Sequence, residues 1–68
     1  MRMVVYQAML ANPTNIARAR AARRDIQAIG GDLVEDPPNK VGMTLLTLYL
    51  PERYQPDHFL PGIPFYPI

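Results

Sequence analysis

Residues 51–68 (PERYQPDHFLPGIPFYPI) constrain the fold more than any other part of the chain, because they join five of its eight prolines to four of its six aromatic residues. Each proline removes a backbone donor and fixes φ, so the segment is unfit for a helix interior or a central strand. Disordered tails are normally poor in large apolar groups, whereas Phe59, Leu60, Ile63, Phe65, Tyr66 and Ile68 all favour leaving water. The expectation is an extended arm lying on an apolar surface. Pro61, Pro64 and Pro67 recur every third residue, the period of a polyproline II helix, in which residues 61–68 would reach roughly 25 Å. Burying six large side chains is worth roughly 9–18 kcal/mol as an upper estimate, and ordering ten residues costs roughly 10–20 kcal/mol. The two nearly cancel, so docking depends on the quality of the surface, with the prolines helping by stiffening the free arm. Three destinations follow: this chain's own sheet, another subunit or partner, or presentation as a short linear motif.

A chain of 68 residues hides only about 60% of its extended surface on folding. Scaffolds of this size draw on disulfides, a metal or a partner subunit, and with no cysteine in the chain association is the remaining device. The apolar fraction of 49% is that of a globular domain. No apolar run approaches the length of a membrane span, and residues 1–6 lack the apolar core and cleavage site of a signal peptide, so a soluble, cytoplasmic protein is expected. The formal charge of +1 is too small to announce nucleic-acid binding, which must rest on local charge.

Residues 3–10 (MVVYQAML) read as a strand. Asn12 or Thr14 then caps a helix with Pro13 at its first position. Over residues 14–29 the stripe Ile16, Ala19, Ala22, Ile26, Ile29 predicts an amphipathic helix packed on a sheet, ended by a left-handed cap at Gly30-Gly31. Residues 32–36 form a brief strand, residues 37–40 a turn, and residues 43–50 (MTLLTLYL) the strongest strand. Both faces of that strand are mainly apolar, which predicts a central strand covered on both sides. The fold class is thus α+β: a small split β-α-β-β sheet, half of a ferredoxin-like one, with the last strand between the first two. Residues 1–50 make the domain and residues 51–68 the arm.

The chemistry of the chain argues against an enzyme. It has no serine or cysteine, the commonest covalent nucleophiles. Its threonines fall at a helix start and within a strand, and Lys40 sits in a solvated turn. The one histidine, His58, has no ligand spacing around it for a metal; its neighbour Asp57 offers an acid–base partner, but a polar anchor for the arm is the stronger reading. Glu35 and Asp36 are adjacent on a strand and point to opposite faces. No phosphate-binding glycine loop is present, because Gly30-Gly31 follows a helix. No cofactor is expected. An enzyme with its site built between subunits has no motif behind it.

Two features carry functional expectations. Arg20, Arg23 and Arg24 with Gln27 share one side of the helix, Arg18 lies nearby, and Asp25 is the only acid in the run. This like-charged ridge is mildly costly to a free helix and is a candidate grip for phosphates, those of nucleic acid included, acidic protein or anionic lipid, against the alternative that solvated arginines merely cover the flank of the domain. The second feature is the bare face of the central strand together with the arm. Leu45, Tyr49, Phe59, Ile63, Phe65 and Tyr66 are the expected contacts with a protein partner. The favoured expectation is a non-enzymatic assembly protein that docks into a homo-oligomer or larger complex; a nucleic-acid-binding accessory domain using the arginine helix is the alternative. The segment Ile29-Gly30-Gly31-Asp32-Leu33-Val34 resembles a segment of the small linker modules of phycobilisome rods. That likeness covers six residues whose pattern helix-capping chemistry explains by itself, and no function is carried over from it, though it points toward assembly.

Overall fold

The computed structural model describes residues 2–68. Its elements are β1 (Met3–Leu10), α1 (Pro13–Ala28), β2 (Asp32–Glu35), β3 (Thr44–Pro51) and β4 (Tyr66–Pro67), with one 3-10 turn, Pro56–His58, ahead of the last strand. The sheet order is β2-β3-β1-β4, and every neighbouring pair is antiparallel. β3 therefore lies between two mutually parallel strands, the split β-α-β-β arrangement of a half ferredoxin-like sheet.

The helix boundaries follow from local chemistry. The Asn12 side-chain oxygen accepts from the N–H groups of Thr14 and Asn15 at 2.8 and 3.4 Å, and Pro13 occupies the first turn, where its missing donor costs nothing. At the other end, the N–H of Gly31 donates to Ile26 and that of Gly30 to Gln27, a Schellman closure that needs the positive φ of +88° at Gly30. Gly31 serves a different purpose: a Cβ there would lie 2.3 Å from the Tyr49 carbonyl oxygen, so the end of α1 is seated directly on β3. The stripe behaves as its spacing predicts, with Ala19 and Ile26 wholly buried and Ile16, Ala22 and Ile29 packed around them.

All covering layers lie on one side of the sheet. Residues paired across antiparallel strands share a face, so the register Val4↔Leu50, Tyr6↔Leu48, Ala8↔Leu46 and Leu10↔Thr44, with Leu33↔Leu48, defines the helix side. Leu46, Leu48 and Leu50 are 0% exposed there. A helix about 10–12 Å wide spans roughly half of a four-stranded sheet at about 4.8 Å per strand. The arm covers the remainder. Leu60 (1% exposed) and Ile63 (4%) enter the same core as Ala19, Ile26 and the even-numbered strand residues, and the Arg18 guanidinium donates to the Pro61 carbonyl at 2.8 Å, tying helix to arm.

Two expectations are corrected by this arrangement. β3 is central, but it is covered on one face and not on both. The arm does dock on its own sheet, yet it shares the helix layer and then joins the sheet edge as β4, leaving the second face bare. Nor is it a straight polyproline rod: Gly62 turns the chain at φ +83°, Ile63 donates back to Leu60 and Phe65 to Ile63, because leucine and isoleucine must be turned inward together to reach the core.

Candidate functional site

The other face of the sheet is built from the odd-numbered residues of β1 and β3. The pairs Val5↔Tyr49, Gln7↔Thr47 and Met9↔Leu45 cross its middle. Val34 joins it from β2 opposite Thr47, and Tyr66 from β4 opposite Gln7. Ile68, whose N–H donates to the Val5 carbonyl, continues the same row. Among the described residues, Val5, Gln7, Leu45 and Thr47 are half-buried, while Tyr49 is 37% exposed, Tyr66 67% and Ile68 73%, with Met3, Met9 and Val34 also exposed. At the centre sits one polar pair, the Gln7 amide donating to the Thr47 hydroxyl at 3.3 Å. No lysine or arginine stands on this face. Asp32 and Asp36 reach its margin by register, but the Asp32 carboxylate turns back to accept from Gln27 and from the Leu33 N–H.

The sheet edges are blunted. Because the Ile68 N–H donates to Val5, Pro67 of β4 and Phe65 just before it are the residues whose backbone points outward in the alternating ladder. Pro67 has no N–H, and the N–H of Phe65 is already given to Ile63. The outer edge of β4 thus offers no donor to an incoming strand. On β2, Asp36 donates to Leu45, which turns Leu33 and Glu35 outward, and the Leu33 N–H is taken by the Asp32 side chain at 2.9 Å. Of the two outward N–H groups of β2, that of Leu33 is occupied, and the strand is only four residues long; short edges with few free donors resist edge-to-edge pairing.

The arginine ridge is compensated, contrary to the reading of the helix alone. Arg20 grips Glu35 of β2 with two hydrogen bonds, at 2.9 and 2.6 Å, and Arg23 lies 3.8 Å from Asp32. The bond from Arg20 holds the Glu35 carboxyl below its ordinary value, and Glu35 in turn raises Arg20. Asp32 is lowered first by the Gln27 amide, then by the Leu33 N–H, with Arg23 contributing. Asp25 is the only acid in the helical run, but the strand beside it supplies two more, a tertiary pairing invisible to helix spacing. Arg18 is occupied by Asn15 and Pro61. Among the four arginines of the helix, Arg24 alone has neither an ion pair nor a side-chain hydrogen bond among the described residues.

A groove of about 660 Å³ opens between the 3-10 turn and β4, with Tyr6, Ile63, Phe65 and Pro67 among its walls and His58 at its rim. His58 Nδ1 accepts the Gln55 N–H at 2.8 Å, and its ring meets Tyr54 edge-on at 5.9 Å between centroids. It is the polar anchor of the turn. No group of three or more His, Asp or Glu side chains gathers among the described residues.

The six expected partner contacts therefore separate. Leu45, Tyr49 and Tyr66 stand together on the open face; Ile63 is interior, and Phe59 and Phe65 are half-buried against the core, so the inner arm is spent on folding. Val5, Met9, Val34 and Ile68 belong to the face without having been singled out. Their signal was parity: once β1 pairs with β3, odd residues of both strands share a side. Comparison with known proteins yields no match, whether to a protein family, a curated sequence or a solved structure. Among the described residues no helix is long and apolar enough to cross a membrane.

Proposed function

We propose that this chain is a non-enzymatic assembly subunit that docks into a protein complex through the open face of its sheet, extended at one edge by the last residues of the arm. The observation that carries the reading is the apolar row of Met9, Leu45, Val5, Tyr49 and Ile68, half-buried at Val5 and Leu45 and exposed elsewhere, with exposed Tyr66 and Val34 beside it, on a molecule whose two sheet edges are blunted. Contiguous exposed apolar patches of several hundred Å² mark interaction surfaces. The alternative of a nucleic-acid-binding accessory domain loses support, because Arg20 and Arg23 face acids of the same chain. Native mass of the tagged chain recovered from its own cells tests the proposal. Wild type is expected above the monomer and Tyr49→Glu at it; a wild-type chain that runs as a monomer, or a Tyr49→Glu complex of unchanged mass, overturns the assembly role.

A further inference from the structure

Resting on that assembly reading, we infer that the occupant of the open face is a second copy of this chain, packed face to face about a two-fold axis lying in the plane of the interface. The argument is the symmetry of the face itself. Its centre is the Gln7–Thr47 pair, and apolar residues occupy the four positions around it: Val5 and Tyr49 toward one end, Met9 and Leu45 toward the other. An axis along the strands places Gln7 over the partner's Thr47, Val5 over the partner's Tyr49, and Met9 over the partner's Leu45. An axis across the strands places Gln7 over Gln7, Val5 over Met9 and Tyr49 over Leu45. In both cases apolar meets apolar and polar meets polar, which is the self-complementarity that an isologous interface requires.

The chemistry at the centre agrees. Residues near a two-fold axis meet their own kind, so a charge there would face a like charge. An amide and a hydroxyl each donate and accept, and either can pair with its own copy. The absence of lysine and arginine from the face removes the electrostatic handle by which a differently charged protein would be selected.

Size also fits. Two strands of eight residues and two shorter ones, at about 4.8 Å between strands and about 3.3 Å per residue, give a footprint of roughly 350 Å². Two such footprints total about 700 Å² in plan, and the accessible area is larger because Tyr66, Ile68 and Met9 are exposed on the sheet, which carries it toward the roughly 1,000 Å² at which specific interfaces begin. The product is a four-layer stack, helix and arm outside and two sheets about 10 Å apart inside.

Sedimentation equilibrium of the purified full chain decides the matter. Wild type is expected to pass from 7.7 kDa to twice that mass as concentration rises, and no further. Tyr49→Glu and Ile68→Asp should each weaken the dimer at least tenfold, whereas Arg24→Glu, on the helix, leaves it unchanged. Ile68→Asp changes an exposed terminal side chain, and an unaltered circular dichroism spectrum establishes that its effect is not unfolding. A wild-type chain that stays monomeric up to about 1 mM, grows beyond a dimer, or dimerises equally well with both face variants overturns the inference. A monomeric purified chain whose native complex in cells nevertheless shrinks with Tyr49→Glu means that the face takes a different protein: the second copy is then wrong and the assembly role stands.

Discussion

Leu45 and Leu46 are neighbours on one strand, yet Leu46 is wholly buried and Leu45 is only half-covered. The same contrast runs along β3 as far as Leu50: Leu46, Leu48 and Leu50 fill the core, while Leu45, Thr47 and Tyr49 line the bare side, and only Pro51 at the strand's end breaks the alternation by being buried. Hydrophobicity on both faces of a strand reports that it is central. It does not report how many layers the chain can lay on it. One helix covers about two strands, and the arm is consumed in finishing that same layer. The second face keeps apolar side chains that stay half-buried or exposed among the described residues.

The largest test of this asymmetry removes the arm. A chain ending at Pro51 loses Leu60 and Ile63 from the core and the partner strand of β1, exposing Tyr6, Ala8 and Leu10 on the helix side. It is expected to lose its cooperative thermal transition altogether, since a core this small has no reserve. A truncated chain that still melts cooperatively would mean that the arm is only an appendage to the fold.

Next in size is a matched pair of substitutions. Leu48→Ala on the helix side should cost about 2–5 kcal/mol, the range for deleting a buried leucine side chain. Leu45→Ala, on the bare face, should cost under about 1 kcal/mol when measured by denaturant at concentrations too low for association. Equal costs would show that both faces are covered in the isolated chain. A Leu45→Ala cost that grows with protein concentration would instead register the partner copy, because association stabilises whichever state it binds.

Much of this architecture was legible in the residues, and the limits are physical. The Asn12-Pro13 start, the alanine and isoleucine stripe and the Gly30-Gly31 stop set the helix to within a residue, since capping and periodicity are local. The order of β2, β3 and β1 follows from one helical crossover and one turn. The arm was harder. Its three-residue proline period predicts a rod, but Leu60 and Ile63 gain more by turning into the core, and Gly62 permits it. The pairing of Arg20 with Glu35 joins residues fifteen apart, through a register that exists only once α1 packs beside β2. Of the expected contact set, Leu45, Tyr49 and Tyr66 could be placed together once parity was known, whereas Ile63 could not be assigned inside or outside from a segment without a regular period.

The smallest effect separates the two faces by acid. Glu35 and Asp32 both have carboxyls lowered by their partners, so folding releases protons from them. Their contribution to stability is complete above their ordinary values of 4.5 and 3.8, and it is lost as the pH falls through the lowered values in the folded chain. Both groups are solvent-exposed and screened, so the loss is small. Glu35→Gln should therefore flatten part of the decline in denaturant midpoint between about pH 6 and pH 3, and added salt should do the same to wild type. The bare face responds differently, because Gln7 and Thr47 at its centre do not titrate. Down to the pH at which the fold itself weakens, acid should erode the helix–β2 pairing while the sheet-to-sheet contact keeps its strength, and a dimer that dissociates in step with Glu35 protonation would place the contact on the helix side instead.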